Sequence, residues 1–131
     1  MSSAILFVSP SADDARSLFQ MLSGMGLPCT HAMDLAQASS ILEARAFGAI
    51  LTEARLPDGD WRDVVNLVGR IRRRIAVVVT DLMADAHLWA DVLDGGAYDL
   101  LPKPFCCGEV QRILANALDQ PPTLGRAASA A

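Results

Sequence analysis

Aromatic residues are scarce in this 131-residue chain, which has two Trp, one Tyr and four Phe. Its one basic cluster, Arg70, Arg72, Arg73 and Arg74, lies beside apolar Ile71 and Ile75 with no aromatic interleaved. With a formal net charge of -4, that pattern makes nucleic acid an unfavoured partner. Cysteine is scarce as well. Cys29, Cys106 and Cys107 cannot all pair, and adjacent cysteines rarely bond because the linking peptide strains the bridge. No His or second Cys pair stands at ligand spacing, so free thiols in a reducing cytoplasm are expected. The uninterrupted apolar run that a membrane span requires is missing. The run Ala4 to Val8 is too short for a secretory signal and lacks its basic flank. A cytoplasmic chain with no membrane contact is expected.

What is present is 52% hydrophobic and 20% charged residues, the composition of a globule rather than a disordered chain. The length suits one domain, read as residues 1–119, with 120–131 a small-residue tail expected to be mobile. Short β-branched runs alternate with segments of helical period, which argues for βα units around a parallel sheet. Strands are expected at Ala4 to Val8, Pro28 to Ala32, Gly48 to Thr52, Ile75 to Val79 and Tyr98 to Leu101. Helices are expected over Ala12 to Met25, Asp34 to Ala46, Trp61 to Ile71, Met83 to Leu93 and Cys106 to Leu118. Ser11 and Asp34 suit N-caps, and Leu56 to Asp60 reads as a loop. The result is an α/β, doubly wound (βα)5 chain.

In such a sheet, chemistry gathers where the C-terminal strand ends meet the loops. That rule selects Ser9 and Pro10, Glu53, Thr80 and Asp81, and Lys103. Asp13 and Asp14 read as first-turn acids that suit the helix dipole and have no further role. The segments Gly96 to Phe105, with Leu101-Pro102-Lys103-Pro104, Ile50 to Asp60, and Ala76 to Thr80 together resemble three motifs of the response-regulator receiver domains of bacterial two-component signalling. The resemblance covers about residues 4 to 118. It implies a five-stranded parallel sheet of order 2-1-3-4-5.

In that family an aspartate ending the third strand takes a phosphoryl group from a histidine kinase, with a divalent cation held by acids after the first strand. Here Glu53 stands at the aspartate's position, and Ser9 and Pro10 at the acids' positions. Glutamate carries its carboxylate about 1.5 Å farther out, which spoils the geometry for in-line transfer. Asp81 replaces a small residue and would repel a phosphate by about 1 kcal/mol at 4 Å in water, more where water is scarce. The resemblance therefore implies a degenerate site with no magnesium and no enzymatic activity. Glu53 is expected to reach toward both Lys103 and Thr80, either as a lasting negative charge that locks one state or as a plain ion pair. Leu100 takes the family's aromatic switch position, and Tyr98 is expected two residues earlier on the same strand face.

With chemistry lost, function would rest on protein contacts, in the family through the fourth helix, fifth strand and fifth helix. His87, Trp89, Val92 and Tyr98 are the candidate interface residues, for a protein partner or a homodimer. Trp61 is expected in the core. A phosphorylation-independent signalling module is the leading reading. The alternatives are a competent phosphoacceptor using Glu53, Asp58 or Asp60, and a purely structural dimerisation domain. No output segment follows Leu118 in these residues, which fits a stand-alone receiver or part of a longer protein.

Overall fold

The computed structural model describes residues 3–71 and 75–119, so most of the basic cluster and the proposed tail lie outside the described residues. Five strands, β1 (Ile5–Val8), β2 (Cys29–Ala32), β3 (Ala49–Glu53), β4 (Ala76–Asp81) and β5 (Asp99–Pro102), pair in parallel in the order β2-β1-β3-β4-β5. Helices α1 (Ala12–Ser23), α2 (Leu35–Ala44), α3 (Trp61–Arg70), α4 (Ala86–Asp94) and α5 (Cys107–Leu118) connect or follow them. This is the (βα)5 order that the alternation of apolar runs implies.

Strand residues point to alternate faces, and both faces are covered, so the strands read as nearly continuous apolar runs. On one face Ile5, Phe7, Leu51, Val78 and Leu101 pack under Leu18 and Leu22 of α1 and Val110 and Leu114 of α5. On the other, Leu6, Val8, Ile50 and Val77 meet Leu42 of α2 and Val64, Leu67 and Val68 of α3. A third cluster, Trp61, Val79, Val92, Ala97 and Leu100, seats α4. A side chain at Gly95 would collide with the Trp61 ring, so that close approach requires glycine.

Helix starts follow side-chain caps that satisfy otherwise orphan N–H groups. Ser11 accepts from the Asp14 N–H, Asp34 from Gln37 and Asp85 from Leu88. Asp60 and Asp63 form a reciprocal capping box on α3. The Asp85 cap explains why α4 begins at Ala86 and not at Met83, leaving Leu82 and Met83 as exposed linker residues. The segment after β3 is also more ordered than a plain loop, since Arg55–Leu56 and Gly59–Asp60 form a two-residue antiparallel ladder.

Two side-chain placements correct the sequence reading. Val92 was expected among the interface residues, but it is fully buried in the cluster under α4, because Trp89 and not Val92 takes the outer face. Tyr98 does not share a face with Leu100. It precedes the first residue of β5, where strand alternation does not yet apply, and packs against the α1–α5 cluster while Leu100 packs against Trp61 and Val92.

Candidate functional site at the C-terminal strand ends

The chain passes from β1 to β2 on one side of the sheet and from β2 back across to β3 on the other, so strand order reverses beside β1. Above this point lies a four-residue polar cluster. Glu53 ends β3, Lys103 follows β5 in a turn whose Lys103–Pro104 peptide is cis, Ser9 follows β1, and Asp14 lies in the first turn of α1. Lys103 is the only lysine of the chain.

One carboxylate oxygen of Glu53, Oε2, accepts from Ser9 Oγ at 2.8 Å and from Lys103 Nζ at 2.8 Å. The same ammonium donates to Asp14 Oδ2 at 2.8 Å. The Glu53 side chain is 10% exposed and that of Lys103 17% exposed, so water competes weakly for these bonds. Burial disfavours the Lys103 ammonium, but its hydrogen bonds and charge attraction to Asp14 and Glu53 outweigh that, and its pKa stands above the ordinary lysine value.

Asp14 is the working residue that sequence reasoning missed. Asp13 behaves as a first-turn acid should, exposed and, among the described residues, paired with Arg16 at 3.5 Å. Asp14 occupies the third helical position after the Ser11 cap, where an acid often turns back to the cap's own N–H. Here Ser9 Oγ accepts the Ser11 N–H at 3.0 Å instead, and the Asp14 carboxylate reaches Lys103. The Ser11 cap placed Asp14 at a known helical position, but no signal in the sequence showed where its side chain would turn.

Thr80 corrects a second expectation. It is the register partner of Glu53 on β4, yet Glu53 turns toward β1 and not toward β4. Ser9 Oγ bonds the carboxylate on that side, and the Lys103 ammonium reaches the same oxygen from the end of β5. The buried Thr80 hydroxyl is left without a hydrogen-bond partner among the described residues. Pro10 is exposed, and half-buried Asp81 contributes its carbonyl to the Lys103 N–H at 3.2 Å.

The sequence reading placed His31 in the second strand and gave it no part in the site. Its ring stacks on Phe7 with centroids 5.9 Å apart, and its Nε2 lies 2.7 Å from the Ser9 carbonyl. Because a carbonyl only accepts, Nε2 carries the proton. The bond fixes the backbone that presents the Ser9 hydroxyl.

The other acids near the site serve helix ends. Asp58, at the tip of the small ladder, accepts the Leu35 and Ala36 N–H groups at the start of α2 at 2.8 and 3.0 Å. The Leu35 bond, helped by that of Ala36, holds its carboxyl below the ordinary carboxylate range although it is exposed. Asp60 is committed to the α3 capping box.

Comparison with known proteins agrees with the architecture. No family model matches the chain. The response regulator protein PilR of Pseudomonas aeruginosa is 29% identical over 106 residues, covering 80% of this chain and 24% of PilR. The DNA-binding transcriptional regulator NtrC of Escherichia coli K12 is 25% identical over 101 residues, covering 77% of this chain and 22% of NtrC. The chain thus spans about a quarter of the length of the curated relatives it matches. Among solved structures, the beryllofluoride-activated NtrC4 receiver domain dimer superposes with a TM-score of 0.82 at 22% identity, covering 88% of this chain and 96% of that one. The receiver domain of the Pseudomonas aeruginosa sensor histidine kinase PA1611, solved with magnesium in its active-site cleft, gives a TM-score of 0.77 at 27% identity, covering 92% and 100%.

Proposed function

We propose that this chain, a response-regulator receiver domain by its fold and by its likeness to curated response regulators, signals without taking up a phosphoryl group or a divalent cation and acts through protein contacts. The observation that carries the reading is the state of Glu53. Its Oε2 already accepts two hydrogen bonds, from Ser9 and from the Lys103 ammonium, and lies in a nearly closed cluster. A carboxylate held this way is poorly placed for in-line attack on an incoming phosphoryl group.

The side chains present do not suit a bound magnesium ion. A hard cation requires several oxygen ligands that are free to turn toward it. Ser9 donates its hydroxyl proton to Glu53, Pro10 offers no side-chain donor, and the Asp14 and Glu53 carboxylates both face the Lys103 ammonium. The alternative acceptors fare no better, because Asp58 and Asp60 hold the starts of α2 and α3. Leu100, buried against Trp61 and Val92, offers no aromatic ring to couple a phosphorylated site to the surface.

The contact surface is the outer face of α4 with the adjoining β5 and α5. Leu82 is 67% exposed, Met83 75% and Trp89 50%, a run of large apolar side chains that water alone does not favour. His87 is exposed on the same helix and lies 4.0 Å from Asp91. The dimeric state of the activated NtrC4 receiver makes a second copy of this chain one fitting partner. Among the described residues no helix is long and apolar enough to cross a membrane, which accords with a cytoplasmic signalling role.

Intact-mass measurement after incubation with acetyl phosphate and magnesium tests the reading. No phosphoryl increment is expected. An increment that disappears in Glu53→Gln would overturn the proposal and make this an active receiver with a glutamate acceptor.

A further inference from the structure

Of the five helices described, four open on an oxygen-bearing side chain that caps them, Ser11, Asp34, Asp60 and Asp85. The fifth does not. Cys106 takes the N-cap position of α5 in extended backbone, and its thiol makes no capping hydrogen bond. Cys107 follows as the first helical residue, and both cysteines are exposed. From one turn along α5 the Gln111 amide donates to Cys107 Sγ at 3.3 Å. The third cysteine is different in kind. Cys29 is half-buried, and burial pushes its thiol up to about 12, so it stays protonated and unreactive at neutral pH. Accessible sulfur is thus confined to two neighbouring positions at the start of α5.

Neighbouring Cα atoms lie about 3.8 Å apart across a trans peptide, closer than the roughly 4.4–6.8 Å that a disulfide spans. The extended ψ of 124° at Cys106 also turns successive side chains apart. A direct S–S bond would require the backbone to rotate, whereas an atom bonded to both sulfurs holds them farther apart and lifts that restriction. Among the described residues no group of three or more His, Cys, Asp or Glu stands together as metal ligands, so a four-ligand zinc site is not offered. Two thiolates alone suit a soft centre. We propose that Cys106 and Cys107 form a dithiol site for a soft, thiophilic centre that binds two sulfurs, either a cuprous ion or a trivalent arsenical. The proposal goes beyond the functional reading and stands whether or not Glu53 takes up a phosphoryl group. With an arsenical R–As=O, two S–H bonds break and two As–S bonds form. The oxygen leaves as water with both protons, and arsenic stays trivalent. With a cuprous ion, both thiol protons pass to solvent and copper keeps its oxidation state. Either bridge ties the N-cap residue of α5 to its first helical residue, where the capping bond is missing.

The test treats wild type, Cys106→Ser, Cys107→Ser and Cys29→Ala with phenylarsine oxide, challenges each with the monothiol glutathione, and reads the retained adduct by intact mass. A second arm loads cuprous ion and challenges it with the chelator bicinchoninate, whose coloured complex reports the copper given up. Serine is a favoured N-cap at position 106 and stays in water at 107, so both serine variants keep α5. Wild type and Cys29→Ala are expected to retain one bridge per chain. Each serine variant should yield its probe at least about tenfold more readily, because the second bond to sulfur forms at the high effective concentration of a tethered thiol. Retention of either probe that requires both Cys106 and Cys107 supports the proposal, and the two arms tell the copper and arsenic sources apart. Serine variants that hold both probes as tightly as wild type, or a wild type that gives up both, would overturn it.

Discussion

The strand-end cluster and the outer face of α4 belong to one domain and treat their reactive surface in opposite ways. At the strand ends, Ser9, Asp14, Glu53 and Lys103 spend their hydrogen bonds and charge on one another. On α4 and the segment before it, Leu82, Met83 and Trp89 leave large apolar side chains in water. The contrast teaches where the domain, on the proposed reading, keeps its capacity to interact: the strand-end pole is closed on itself, and the helical face is left open. The two tryptophans mark the division, since Trp61 is 2% exposed and Trp89 50% exposed.

Replacing each tryptophan in turn breaks the comparison most sharply. Trp61 lies against Val92, Leu100 and the backbone at Gly95, so Trp61→Ala should cost about 3–5 kcal/mol of stability. Trp89→Ala should fall within about 0.5 kcal/mol of wild type, as a surface substitution does. Urea denaturation of both variants measures the difference. Equal losses would mean that Trp89 is a packing residue, and the α4 face would lose its claim to be a contact surface.

Much of this division was legible in the sequence. The alternation of β-branched runs and helical period placed all five strands and helices, because period-2 and period-3.6 patterns are set by local backbone geometry. Ser11 and Asp34 showed as caps for the same reason. Glu53 and Lys103 could be placed from the rule that strand ends gather function, and Trp61 was expected in the core. What the sequence hid depends on which way a side chain turns once the fold has formed. Asp14 was indistinguishable from Asp13 as a first-turn acid until Ser9 was seen to occupy the cap's N–H. Thr80 lost its expected bond because Ser9 and Lys103 together outcompete it for Glu53. On α4 the run Leu88, Trp89, Val92, Leu93 does not divide cleanly into faces, and Val92 was assigned to the wrong one.

A smaller effect sharpens the closed side of the comparison. Breaking a buried ion pair costs about 3–5 kcal/mol, and the partial exposure of Asp14 and Lys103 reduces this to about 2 kcal/mol for Lys103→Met at neutral pH. The folded pKa of Lys103 is raised, so its contribution to stability is fully present below the unfolded lysine value of about 10.4 and is lost as pH rises through the higher folded value. The stability gap between wild type and Lys103→Met should therefore stay constant from neutral pH to about 10 and narrow above it. Denaturation midpoints of both proteins across that range measure the gap. With one lysine in the chain, no other ammonium side chain contributes to it. A gap that already closed below pH 9 would show that the acids do not hold the ammonium.

The smallest expected effect is also the most local. Thr80 and Glu53 face each other across β4 and β3 in register, and the carboxylate has turned away to Ser9 and Lys103. A buried hydroxyl without a partner costs about 1–3 kcal/mol, whereas an apolar group of the same shape carries no such cost. Thr80→Val keeps the branched shape on a central strand and removes the orphan oxygen. It should leave stability unchanged or raise it by about 1 kcal/mol in urea denaturation. The same substitution in a receiver whose hydroxyl bonds the active site would be expected to destabilise. A loss of 1 kcal/mol or more here would mean that the Thr80 hydroxyl has a partner in solution, such as a bound water reaching toward Glu53. The closed cluster would then extend across to β4, with Glu53 linked to both of its neighbouring strands.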